Sequence, residues 1–130
     1  MTVGRVENRS GILIVEDQLL LAMDLSRSVA REGYHTLGPC KDVDTALDVL
    51  SDATPEAAIL DINLGSGTTS EVIADALVRM GVPFAFLSAY SEDIPIIDRF
   101  PDALFVNKPI NARTLKTLLE SLAKRANGRH

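Results

Sequence analysis

Four apolar residues in a row, Ala57-Ala58-Ile59-Leu60, run straight into Asp61 and then into Ile62-Asn63-Leu64-Gly65. A run without alternation has no polar face. It therefore reads as a strand buried on both sides, as in the middle of a parallel sheet. A carboxylate at the end of such a strand lies where the backbone leaves the sheet and water begins. Three other apolar runs end in the same way: Gly11 to Val15 in Glu16-Asp17, Phe84 to Leu87 in Ser88, and Leu104 to Val106 in Lys108-Pro109. Each ending has an ordinary explanation by itself, such as a helix cap for the acid pair or a solvated lysine at a strand exit. Four of them at four strand ends constrain the chain far more than any one does.

Helical patterns lie between these runs. Gln18 to Glu32 carries a stripe of Leu21, Ala22, Leu25 and Val29, with Leu19, Leu20 and Met23 off it and Gly33 as its stop. Glu16-Asp17 is placed to cap it. Tyr34 to Gly38 is a less apolar strand suited to a sheet edge. Asp42 or Asp44 caps a helix with Val43, Ala46, Leu47 and Leu50 on one face. Ser70 caps a helix through Met80, with Ile73, Ala76, Leu77 and Met80 inward and Gly81 at its end. Asn111 caps the last helix, whose face is Leu115, Leu118, Leu119 and Leu122. Five strands alternating with helices predict an α/β fold: a parallel sheet with right-handed crossovers and helices on both faces. Ligands of such open sheets bind beyond the carboxyl ends of the strands, where the acids fall.

The stretch from Glu92 to Phe100 is less regular, because Pro95 and Pro101 crowd it from both sides. A helix starting after Asp93 puts Pro95 in its tolerant first turn. That leaves Ile94 to Arg99, about a turn and a half, which needs packing from Ile96, Ile97 and Phe100 to hold.

At 130 residues the chain reads as one domain over 11–126, with a polar lead-in over 1–10 and a short tail over 127–130. Its net charge of −5 argues against non-specific nucleic-acid binding, which needs a basic footprint. No apolar run has the length of a membrane span, and Met1 to Ser10 has no signal-peptide core. With Cys40 as the one cysteine, no internal disulfide forms, which fits a reducing cytoplasm. His35 and His130 have no visible partner acids or thiols and read as structural or exposed. Gly65-Ser66-Gly67 lacks the Gly-Lys-Ser/Thr ending of a phosphate loop.

Three carboxylates brought together repel one another unless a cation neutralises them. Their hard oxygen ligands suit Mg²⁺. A Mg²⁺ site beside a lysine and a hydroxyl is a site for phosphoryl groups. A carboxylate within it can attack phosphorus to form an aspartyl phosphate, and Asp61, on the central strand before a mobile loop, is the residue for that role.

In order and spacing, Glu16-Asp17, Asp61, Ser88 and Lys108-Pro109 resemble the receiver domain of two-component response regulators, from Gly11 to about Ala126. The resemblance implies a flavodoxin-like receiver fold with strand order 2-1-3-4-5. It also implies that Asp61 is the phospho-acceptor, that Asp17 binds Mg²⁺ directly with Glu16 in support, and that Asn63 offers the metal a backbone carbonyl. Ser88 and Lys108 would contact the phosphoryl oxygens, and Phe105 takes the place of the switch aromatic, with plain core as its alternative reading. Pro83 to Tyr90 is similar to small alphaproteobacterial receivers with a Phe-Ala-Thr-Gly-Tyr signature, here Phe86-Leu87-Ser88-Ala89-Tyr90, often paired with HWE histidine kinases. Gly65 stands where a proline commonly follows the acceptor loop.

The function expected is therefore a free-standing, cytoplasmic response regulator, a non-enzyme phosphorylated by a histidine kinase or phosphotransfer protein. It would signal through a downstream protein or act as a phosphate sink, as a monomer or weak homodimer, without nucleic acid or membrane. A shortened fourth helix, ordered according to the state of Asp61, would move partner contacts to the first and last helices around Leu19, Leu20 and Met23. The alternative is a Mg²⁺-dependent phosphohydrolase working through an aspartyl phosphate. That needs a second general acid near the nucleophile, and position 63 is Asn rather than Asp.

Overall fold

The computed structural model describes residues 11–89 and 94–128. The expected lead-in over 1–10, Tyr90 of the signature, Ser91 to Asp93 and His130 lie outside the described residues. Strands and helices alternate as β1 (Ile12–Val15), α1 (Leu19–Arg31), β2 (Thr36–Cys40), α2 (Val43–Asp52), β3 (Ala57–Asp61), α3 (Glu71–Met80), β4 (Phe84–Ser88), α4 (Ile94–Arg99), β5 (Leu104–Asn107) and α5 (Ala112–Asn127). All pairings are parallel, in the order β2-β1-β3-β4-β5.

The three inner strands are buried on both faces, as their unbroken apolar runs require. Alternate side chains feed two cores. Leu13, Val15, Ala58, Leu60, Phe84 and Phe86 face one side, where Ile73, Ala74 and Leu77 of α3 and Ala46 of α2 cover them. Ile12, Ile14, Ala57, Ile59, Ala85 and Leu87 face the other, under Leu25 and Val29 of α1 and all four expected leucines of α5.

Several local expectations need correction. β2 lies two residues beyond the stretch Tyr34 to Gly38. Its position at the sheet edge, with a register shift between Leu13 and Val15, accommodates Pro39, which has no N–H to give to a ladder. On α1, Leu21 is 44% exposed, so the buried stripe is Ala22, Leu25 and Val29. On α2, Asp42 rather than Asp44 is the cap, accepting from the Thr45 N–H at 2.8 Å, and Val49 takes the place expected for Leu47 beside Val43, Ala46 and Leu50 in the core. On α3, Ala74 is fully buried and Ala76 only half so. Asn111 caps α5 through the Thr114 N–H at 2.8 Å.

Ser70 does not cap α3 with its side chain. Its hydroxyl is buried and has no hydrogen-bond partner among the described residues, while the Glu71 N–H leans on Thr69 Oγ1 at 3.4 Å. An unmade buried hydroxyl bond costs about 1–3 kcal/mol. Ser70→Ala is therefore expected to leave stability unchanged or raise it by about 1 kcal/mol in urea unfolding. A loss of that size would show that the hydroxyl does contribute.

α4 has six residues, Ile94–Arg99, with Pro95 in its first turn. Ile96 and Ile97 pack half-buried on the core, and Phe100 closes an edge-on aromatic cluster with Phe84 and Phe86 at 5.9 and 5.6 Å. Arg99 pairs with Glu71 and Asp75 of α3, and its guanidinium lies 4.7 Å over the Phe100 ring. Contacts, not helix length, hold this segment.

Candidate functional site

The register of the sheet decides which strand ends meet. Val15 pairs with Leu60, which puts Glu16 level with Asp61. Asp61 pairs with Leu87, which sets Ser88 one step beyond it. Ser88 pairs with Asn107, so Lys108 follows directly and donates its backbone N–H to the Ser88 carbonyl at 2.8 Å. Four segments far apart in sequence thus deliver their polar ends to one edge of the sheet.

One carboxylate oxygen from each of Glu16, Asp17 and Asp61 lies within 4.8 Å of the others. Lys108 reaches over from β5, its Nζ 3.1 Å from Glu16 Oε1 and 3.3 Å from Asp61 Oδ2. Glu16 also accepts the Gln18 N–H at 3.1 Å, so it serves the start of α1 without being the N-cap, and Asp17 is not a cap either. Glu16 and Asp61 are buried, whereas Asp17 is half-buried on the solvent side.

Burial, and then the charge of Glu16, push the Asp61 carboxyl up to about 7, and Lys108 only partly offsets this. Lys108 answers in the opposite sense. Burial works to lower its pKa, but the attraction of Asp61 and Glu16 outweighs it and the pKa is raised. The cluster therefore carries more negative charge than one ammonium can balance. A hard dication with one or two carboxylates and several waters fits such a donor set, since Asp17 leaves one side open to water.

Asn63 is exposed in the loop after β3, bridged to Thr69. Phe105 stands apart from the charged cluster, three residues back along the edge strand and 43% exposed, so it is not core. Beside the acids a cleft of about 600 Å³ runs between α1 and α5, lined by Glu16, Leu21, Leu25, Lys108, Ile110 and Leu115. Leu19 and Leu20 sit 69% and 80% exposed at the start of α1, so they are not the extra packing their apolarity alone would suggest. Two contributors escaped the sequence reading. Arg99 binds α4 to α3, and Gly65 lies against Asp17. A glycine in the position of the usual proline was the available signal for the second.

No family model matches the chain. The phyllosphere-induced regulator PhyR of Methylorubrum extorquens AM1 is 30% identical over 110 residues, 83% of this chain and 41% of PhyR. The chain spans about half the length of the curated relatives it matches. Among solved structures, SdrG from Sphingomonas melonis Fr1 is 34% identical, with 88% of this chain and 97% of SdrG covered at a TM-score of 0.75. The signal receiver domain of a modulated diguanylate cyclase from Desulfovibrio desulfuricans G20 superposes at a TM-score of 0.82 with 26% identity, covering 93% of this chain and 98% of that domain. A receiver's sheet order and acid cluster, together with likeness to named response regulators and to solved receivers over most of its length, make the assignment: the chain belongs to the receiver domains of two-component response regulators.

Proposed function

We propose that this receiver takes a phosphoryl group onto Asp61, with Mg²⁺ held by Asp17, Asp61 and the backbone carbonyl of Asn63, and with Glu16 in support. The observation that carries this reading is the buried Asp61 carboxylate, set among two further acids with an ammonium 3.3 Å away. When bound, Mg²⁺ would neutralise charge on the phosphoryl oxygens. An Asp61 oxygen attacks phosphorus as the bond from phosphorus to the donor's nitrogen or oxygen breaks, and the electron pair leaves with the donor. Lys108, already paired with both buried acids, exchanges part of that contact for the phosphoryl oxygens. The Ser88 hydroxyl donates to another oxygen, and Phe105 responds by changing its exposure.

The donor is a histidine kinase, in this reading of the HWE type, or a phosphotransfer protein. The cleft between α1 and α5, which Glu16 and Lys108 line, and the exposed Leu19 and Leu20 at the start of α1 support its approach from that side. The signal then leaves in the cytoplasm through contact with another protein, or ends as phosphate drained from the kinase. Among the described residues no helix is long and apolar enough to cross a membrane.

Acetyl phosphate with Mg²⁺ should label the protein in a peptide that contains Asp61, lost on treatment with hydroxylamine and absent in EDTA. Label on another residue, or equal label in EDTA, would overturn the reading.

A further inference from the structure

We infer that Gly65 is a positioning residue for the Asp17 carboxylate, an inference that rests on reading Glu16, Asp17 and Asp61 as a Mg²⁺ site. The loop that follows Asp61 is closed on itself. Leu64 donates its N–H to the Thr68 carbonyl at 2.9 Å, Thr68 donates to the Gly65 carbonyl at 2.9 Å, and Asn63 bridges to Thr69. Just beyond, Ser70 donates to the Ile62 carbonyl at 2.9 Å, which fastens the far end of the loop to the strand exit.

Within this closed loop Gly65, Ser66 and Gly67 have φ of 84°, 53° and 77°. A proline, held near −65°, cannot take the place of Gly65 there. The two glycines share the left-handed backbone but not the surroundings. A Cβ at Gly65 would lie 3.2 Å from Asp17 Oδ2, whereas a Cβ at Gly67 would meet nothing within 4 Å. The Asp17 carboxylate therefore borders space that a side chain at position 65 would enter. Any side chain there would displace that carboxylate by a few tenths of an ångström. Mg²⁺ demands near-ideal octahedral geometry at short ligand distances, so it is sensitive to a shift of that size. The closed loop thus keeps that space clear beside the carboxylate on the open side of the cluster.

Gly65→Ala and Gly67→Ala separate backbone strain from this contact, because both force an L-residue to positive φ. The chain has no tryptophan, so Mg²⁺ affinity is read from amide chemical shifts during titration with MgCl₂, and stability from thermal unfolding in EDTA. Both variants should melt lower than wild type by similar amounts. Gly65→Ala alone should bind Mg²⁺ roughly tenfold more weakly. In an Asp17→Ala background, Gly65→Ala should have no further effect on Mg²⁺. Unchanged affinity in Gly65→Ala, or equal losses in the two glycine variants, would overturn the positioning role while leaving the metal site intact. A wild type without saturable Mg²⁺ response would overturn both. Should Gly65→Ala not fold, Gly65→Asn carries the same Cβ on a residue that tolerates the left-handed region and is read against the same outcomes.

Discussion

Asp17→Ala should bind Mg²⁺ at least roughly 100-fold more weakly than wild type, because it removes a carboxylate from the open side of the cluster. Lys108→Ala should bind it as well as wild type or better. Its Nζ sits 3.1 Å from Glu16 and 3.3 Å from Asp61, where an ammonium competes with a dication for the same two oxygens. Phosphorylation separates the two variants from a third. Asp61→Asn should take no label from acetyl phosphate under any Mg²⁺ concentration. Asp17→Ala should recover some label when Mg²⁺ is raised, since its defect is affinity. Lys108→Ala should be labelled, yet show amide shifts on phosphorylation confined to the neighbourhood of Asp61, because the contact that ties β5 to the acceptor is gone. Chemical-shift titration and intact-protein mass spectrometry check all three. Equal loss of Mg²⁺ in Asp17→Ala and Lys108→Ala would show that the lysine organises the metal site instead of serving the phosphoryl group.

The second large effect is on stability in the absence of metal. The folded-state pKa of Asp61 is about 7 against an ordinary value of 3.8, so between those values the folded protein holds a proton that the unfolded chain has lost. The contribution of Asp61 to stability then falls as pH rises from about 4 to about 7, and levels off above. The slope attributable to this one group is about 1.4 kcal/mol per pH unit inside the window. Asp61→Asn should remove that slope and exceed wild type by a few kcal/mol at pH 8 in EDTA, the sign expected where a functional site is held together against repulsion. Mg²⁺ at saturating concentration should narrow the gap by stabilising the wild type more than the variant. Denaturant unfolding of both proteins at pH 5 and pH 8, with EDTA or MgCl₂, measures this. Parallel pH profiles for wild type and Asp61→Asn would show that the acid cluster costs the fold nothing.

Both expected results turn on the surroundings of Asp61. A buried acid that resists ionisation without a partner cation depends on its surroundings, and those of Asp61 come from the ends of β1, β3 and β5 at once. A dication on Glu16, Asp17 and Asp61 would therefore tie the ends of β1 and β3 together, where Lys108 now reaches over from β5. The short α4, held to α3 through Arg99, Glu71 and Asp75, lies on the other face of the sheet from α1 and α5.

Much of this was legible in local pattern. Unbroken apolar runs mark inner strands because both of their faces are covered, and Ala57 to Leu60 is buried throughout. The leucine spacing of Leu115, Leu118, Leu119 and Leu122 marks the buried face of α5 because one helical stripe suffices for one covered side. Pro101 ends α4 at Arg99, because a proline biases the residue before it, here Phe100, away from helix. The acids, Ser88 and Lys108 were identifiable as strand endings by chain position alone. What the chain order could not decide was everything that depends on which atoms meet across elements. Edge placement and a register shift moved β2 to Thr36–Cys40, although Tyr34 begins the more apolar stretch. Leu21 lay on the periodic stripe of α1 yet faces a cleft, because α5 leaves that turn uncovered. Ser70 had the residue type of a cap, but the chain enters α3 with a backbone geometry that leaves its hydroxyl unpaired. The loop of Gly65 looked merely flexible, since neither its hydrogen bonds nor the carboxylate of Asp17, 48 residues earlier in the chain, can be read from composition. Local propensity and periodicity act over a few residues and so are written in the sequence, whereas burial, hydrogen-bond partners and contact distances are properties of the assembled fold.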